Sequence, residues 1–142
     1  YLVAQWGAKG DKHRFFFDMM KDLVNTRGMG ADPFIKMREN MHRGVSWWKP
    51  ELTSQEDLND IAAATQAVFE YCVVNLAAWT KIKTGSKHLA LAGGGALNRQ
   101  AVALLTDWDT VHVPHNPGDP GSCIGAVLAK SRQRIRLNQQ WN

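Results

Sequence analysis

His88-Leu89-Ala90-Leu91-Ala92-Gly93-Gly94-Gly95-Ala96-Leu97-Asn98 decides the fold: a short apolar run breaks on three glycines, and a helical pattern follows. The plan then repeats. Thr110-Val111-His112-Val113-Pro114 alternates and is β-branched, as a strand should be. It runs into the loop His115–Pro120 and a second helical pattern over Gly121–Ile135. Between the two strands, Ala96–Leu105 also reads as a helix. Strands joined through a helix are expected to be parallel, with a right-handed crossover. Both glycine turns then fall at the carboxyl edge of one sheet, where open α/β sheets place their ligands. The fold class is therefore α/β, a helix-rich first half followed by parallel strand-turn-helix units.

Each turn also delivers a helix amino terminus, whose free N–H groups and dipole favour an anion. Gly93, Gly94 and Gly95 carry no Cβ, so a ligand or another backbone can approach closely. Asn98 follows in the first helical turn, with an amide to offer a ribose, a base or a phosphate. In the second turn Gly118 and Gly121 bracket Asp119. A carboxylate beside a phosphate site normally needs a cation, so Asp119 is a candidate metal ligand. Taken singly, three glycines are a packing-driven turn and Asp119 a turn-stabilising residue before proline. Two such turns, each after a strand and before a helix, favour the phosphate-site reading.

Upstream lies the most marked helix signal. Thr53-Ser54-Gln55-Glu56 reads as a capping box, and the apolar positions from Leu58 to Trp79 continue the helix towards a stop at Gly85. Phe15–Thr26 has the spacing of an amphipathic helix, Arg27–Pro33 is a glycine-rich loop, and Phe34–Arg43 reads as another short helix. Tyr1–Trp6 is expected to be a short strand and Gly44–Pro50 a connector. The 142 residues suit a single domain, with residues 1–52 helical or irregular and residues 53–142 a nucleotide-binding α/β section.

A net charge of +4 is spread over Lys9–Arg14, Lys36–Arg43 and Lys130–Arg136, a solvated surface rather than a nucleic-acid footprint. No run approaches the length of a membrane span, and no leader with a cleavage site appears. The expectation is a soluble, cytoplasmic protein without membrane partners. Cys72 and Cys123 are too isolated for a disulfide framework. His112 and His115 lie at a strand end without metal-ligand spacing, and the six tryptophans are scattered as packing residues would be. No Walker, Gly-x-Ser-x-Gly or dinucleotide fingerprint is present.

Leu89–Asn98 resembles the "L-x-L-A-G-G-V-A-L-N" segment of the O-carbamoyltransferases of antibiotic and nodulation-factor pathways. Pro114–Ala126 is similar to their glycine-aspartate segment, with Gly118-Asp119-Pro120-Gly121 and Gly125-Ala126 in register. Asp60-Ile61-Ala62-Ala63-Ala64-Thr65-Gln66 looks like the helix that family writes "D-I-A-A-S-x-Q". The resemblance implies an actin-like ATPase domain of two ribonuclease-H-like lobes, this chain being most of the second. It implies chemistry in which carbamoyl phosphate and ATP give carbamoyl-adenylate, and the carbamoyl group then passes to a substrate hydroxyl. Gly93, Gly94, Gly95 and Asn98 would face the adenylate. Asp119 would join a divalent metal, iron in the family's pattern, whose histidine ligands lie in the first lobe. That lobe and the carboxyl-terminal domain are expected elsewhere in a longer protein, so the chain would be inactive alone. Tyr1–Gly10 resembles a degenerate form of the family's "K-V-M-G-L-A-P-Y-G" segment, and the departures are Gly95 for the usual valine, Pro120 for a small residue, and Gln5–Lys9 without that segment's proline and tyrosine. The alternatives are a sugar- or acetate-kinase-like phosphotransferase, and a non-catalytic nucleotide-binding interaction module.

Overall fold

A computed structural model describes residues 8–28, 30, 32, 34–40, 47–132 and 134. The chain divides into two units, Tyr1–Lys83 and Thr84–Asn142. The long helix, grouped in sequence with the second half, belongs to the first unit except for its last residue. The expected strand at Tyr1–Trp6 lies outside the described residues.

In the first unit, α1 spans Phe16–Leu23 and leads directly into β1, Val24–Thr26. β1 pairs antiparallel with β2, Ile35–Met37, with Val24 opposite Met37 and Thr26 opposite Ile35. Two expectations are corrected here. The helix expected over Phe15–Thr26 stops at Leu23, and the helix expected over Phe34–Arg43 is a strand at Ile35–Met37. Val24, Thr26 and Ile35 are β-branched and favour a pleated ribbon. Beyond the ribbon's register, Arg27 N donates to the Phe34 carbonyl at 2.9 Å. Arg38 N then donates to the Leu23 carbonyl at 2.8 Å.

The expected long helix is α2, Gln55–Thr84. Its cap sits one residue later than the sequence suggested. Ser54, not Thr53, accepts from the Asp57 amide at 3.0 Å, and its hydroxyl donates to the Asp57 carboxylate at 2.6 Å. The Ser54 carbonyl accepts the first helical bond, from Leu58 N at 3.0 Å, which fixes Ser54 as the cap and gives Asp57 the role expected of Glu56. Gly85, at φ 64°, ends the helix.

Phe15, Met19, Leu23, Val24, Ile61, Ala64 and Val68 form the buried core of this unit, with Trp48 and Cys72 packed against it. Ala64 is fully buried. By length and mean hydropathy, 1.4 over its best window, α2 could cross a membrane, yet 33% of that window is buried inside the protein. Its second half exposes Tyr71, Leu76 and Ile82.

A charged clasp ties the segment before α1 to the start of α2. Asp60 is 5% exposed; it accepts from Asp11 N at 2.7 Å and from Arg14 Nη1 at 2.8 Å. Arg14 Nη2 reaches Asp57 at 2.7 Å. The Arg14 hydrogen bond, followed by the Asp11 amide, holds the Asp60 carboxyl below the usual carboxylate range. The Ser54 hydroxyl and then Arg14 lower that of Asp57.

The second unit contains β3, His88–Ala90, and β4, Thr110–His112, paired parallel with Leu89 opposite Val111. Between them the expected helix over Ala96–Leu105 is split into a 3-10 turn, Gly94–Leu97, and a short α3, Arg99–Ala103. The break falls where Asn98 leaves helical geometry to cap α3. α4 covers Asp119–Ser131, starting earlier than expected because Pro120 is tolerated in a first turn, and ending earlier at left-handed Arg132, φ 54°. Ala101, Leu105 and Trp108 are the buried hydrophobic side chains of the second unit among the described residues.

Candidate functional site

The register of β3 and β4 brings their carboxyl ends to one rim. Leu91 N continues the ladder to the His112 carbonyl at 2.9 Å, and the chain then turns at Gly93. Gly93 has φ 91° and ψ 162°, a conformation that a side chain would strain. Its N–H donates to the Pro117 carbonyl at 2.6 Å, so the first turn is bonded directly to the second. A Cβ on Gly118 would meet Gly94 Cα at 3.6 Å, which sets the two turns side by side. Gly93, Gly94, Gly95, Gly118 and Asp119 therefore share one edge of the parallel pair. Gly93, Gly94, Gly95 and Asp119 are exposed, and Gly118 is half-buried.

Gly118 caps α4 in an extended conformation, and Gly121 N and Ser122 N both return to its carbonyl, at 3.0 and 3.3 Å. A Cβ on Gly121 would overlap the Asn116 carbonyl oxygen. Its lack of a side chain is thus explained by packing of its own turn, without a ligand. Asp119 is the first residue of α4, so its carboxylate sits at the positive end of the helix dipole. That position is electrostatically comfortable for the carboxylate. It also competes with any bound anion unless a cation lies between them.

Asn98 is half-buried, and its side-chain oxygen accepts from Ala101 N at 3.1 Å. The oxygen is committed to capping α3; pointing it at a ligand would uncap that helix. Among the described residues no group of three His, Cys, Asp or Glu side chains could hold a metal. Asp119 stands at the rim as a single carboxylate.

Beside the rim lies a cleft of about 400 Å³ between the 3-10 turn, α3 and the segment after β4. Leu97, Val102, Val113 and Pro114 give it apolar walls, with Arg99 and His115 as its polar side chains. In the sequence His115 reads as a loop histidine, and Arg99 is not among the candidate residues. A signal was present: Arg99 follows the glycine turn in a helical pattern, and His115 directly follows the second strand.

The cysteines form no disulfide. Cys72 is half-buried, and burial pushes its thiol up, so it is poorly disposed to react. Cys123 is exposed on α4.

Comparison with known proteins gives one match. The family model "Carbamoyltransferase N-terminus" matches residues 34–128, roughly two thirds of the chain. The matched span runs from the residue before β2 through α2, both glycine turns and most of α4. No curated protein and no solved structure matches.

Proposed function

The chain belongs to the carbamoyltransferase N-terminus family, and from that premise we propose that its paired glycine turns seat the activated carbamoyl donor. Carbamoyl transfer is the chemistry the family brings. The donor in this reading is carbamoyl-adenylate, made from ATP and carbamoyl phosphate, and the acceptor is a substrate hydroxyl. The observation that supports this site is the 2.6 Å bond from Gly93 N to the Pro117 carbonyl, which joins the two glycine turns at one rim.

The proposed roles follow from each residue's setting. Gly93, Gly94 and Gly95 let the donor come up to bare backbone, and Gly118 does the same at the start of α4. Asn98 acts by holding the first turn against α3, and Gly121 by letting the second turn close. The amino terminus of α4 supports negative charge on phosphate oxygens as the carbamoyl carbon is attacked. The acceptor oxygen forms the new bond to that carbon, the bond to the phosphate oxygen breaks, and the hydroxyl proton leaves to solvent. No side chain of the rim is placed as a nucleophile in this scheme, so attack falls to the acceptor itself.

Asp119 is proposed as one ligand of a divalent metal, iron by family resemblance. A lone carboxylate does not compose a metal site, and the rest of the donor set would come from outside the described residues. No step is derived through a metal.

The test uses the full-length protein with ATP, carbamoyl phosphate and candidate hydroxyl acceptors. AMP, pyrophosphate and the inorganic phosphate that water releases from carbamoyl phosphate are the expected products, and Asp119→Asn should lower turnover by at least about a hundredfold. Formation of ADP would transfer the reading to a phosphotransferase. Nucleotide binding without turnover, unchanged by Asp119→Asn, would assign a binding module.

A further inference from the structure

We propose that the cleft beside the rim is the seat of the acceptor, and that this acceptor carries an apolar ring or chain together with an anionic group. The identity of the occupant as acceptor rests on the carbamoyl-transfer reading; the chemistry of the cleft does not.

Size comes first. At about 400 Å³ the cleft falls within the range that takes small organic molecules. Its walls are side chains of Leu97, Val102, Val113 and Pro114, which offer a ligand no hydrogen bonds and favour an apolar body. Leu97 is 65% exposed, an open apolar surface at the mouth.

Charge decides the second feature. Among the described residues no Asp or Glu lines the cleft, whereas Arg99 and His115 do. The Arg99 and His115 side chains make no hydrogen bond or ion pair with another described residue. A guanidinium with no partner among the described residues, at the edge of an apolar cleft, is suited to bidentate recognition of a carboxylate or phosphate. A cationic or uncharged ligand would leave that guanidinium without a counter-charge.

Position links the cleft to the donor site. Leu97 lies two residues beyond Gly95, and His115 two residues before Pro117, whose carbonyl is bonded to Gly93. Two residues span at most about 7 Å, so both walls of the cleft run straight into the two turns. A ligand anchored at Arg99 by its anion can extend a hydroxyl towards the rim.

The experiment measures binding of para-hydroxyphenylpropionate, which has a ring, a carboxylate and a hydroxyl, against its uncharged amide. Both are titrated by ligand-observed NMR into the full-length protein. The acid is expected to bind about tenfold more tightly than the amide, the scale of one charge-assisted contact. Arg99→Gln should abolish that preference while leaving amide binding unchanged. Val113→Trp should fill the cleft and weaken both, with circular dichroism confirming the fold. Equal binding of acid and amide, a preference that survives Arg99→Gln, or no binding of either overturns the proposal. Loss of carbamoyl transfer as an activity, with an Arg99-dependent preference intact, would remove the acceptor role and keep the anion-binding cleft. Transfer to uncharged acceptors at rates insensitive to Arg99→Gln would remove the cleft's role and keep the donor reading.

Discussion

Asp60 is the most consequential single side chain in the first unit, because it is a buried carboxylate satisfied by two donors from one approaching segment. Asp60→Ala removes a charge-assisted bond and strands the Asp11 amide, and should cost about 2 kcal/mol in urea denaturation. Its pH dependence follows from direction. The carboxyls of Asp57 and Asp60 are both lowered in the folded state, so their contribution is present above the ordinary carboxylate range. It is lost as pH falls through that range and below the folded values. Urea midpoints should therefore drop on acidification from roughly pH 5 downward, and less so in Asp60→Ala. Gly121 makes a contrasting case. Gly121→Ala drives a methyl into the Asn116 carbonyl and should cost about 1–3 kcal/mol. Gly125→Ala, in the same helix with open space around it, should gain up to about 1 kcal/mol. Thermal melts of the two variants, moving in opposite directions, check both.

Helix α2 shows how far local pattern carries and where it stops. Its existence, length and glycine stop were readable because capping signals and apolar spacing agree over many turns. The cap itself was displaced by one residue, since Thr53 and Ser54 both offer a hydroxyl oxygen as acceptor and only backbone geometry chooses. Ser54→Ala should then cost about 1 kcal/mol and Thr53→Ala only a few tenths, by denaturant titration. β1 and β2 were missed for a different reason. Val24 occupies a position that continues the stripe of α1 and also suits a strand, and the choice is made by Ile35–Met37 coming back to pair with it. Pairing between distant residues leaves no period in either segment. β3 and β4 were legible because each is bounded by turn residues and joined through a helix, which leaves parallel pairing as the economical topology.

Across the whole molecule the two units differ in how much apolar surface they bury. The first gathers seven buried side chains, from Phe15, α1, β1 and α2, into one cluster, whereas in the second Ala101, Leu105 and Trp108 are the buried hydrophobic side chains among the described residues. Two strands are marginal on their own. Hydrogen exchange should therefore be slowest at Ile61–Val68 in α2 and faster throughout β3 and β4, and equal protection in the two would contradict this account. The candidate site was legible in outline, because glycines after strands report where backbone must come close. Its finer assignments were not: sequence spacing could not reveal that the Asn98 oxygen is spent on a cap or that Gly121 answers to Asn116. The bond from Gly93 to Pro117 carries one more consequence. Because it couples the loops mechanically, the Gly93 amide proton is a single spectroscopic reporter for both, and its temperature coefficient will register loosening of either one.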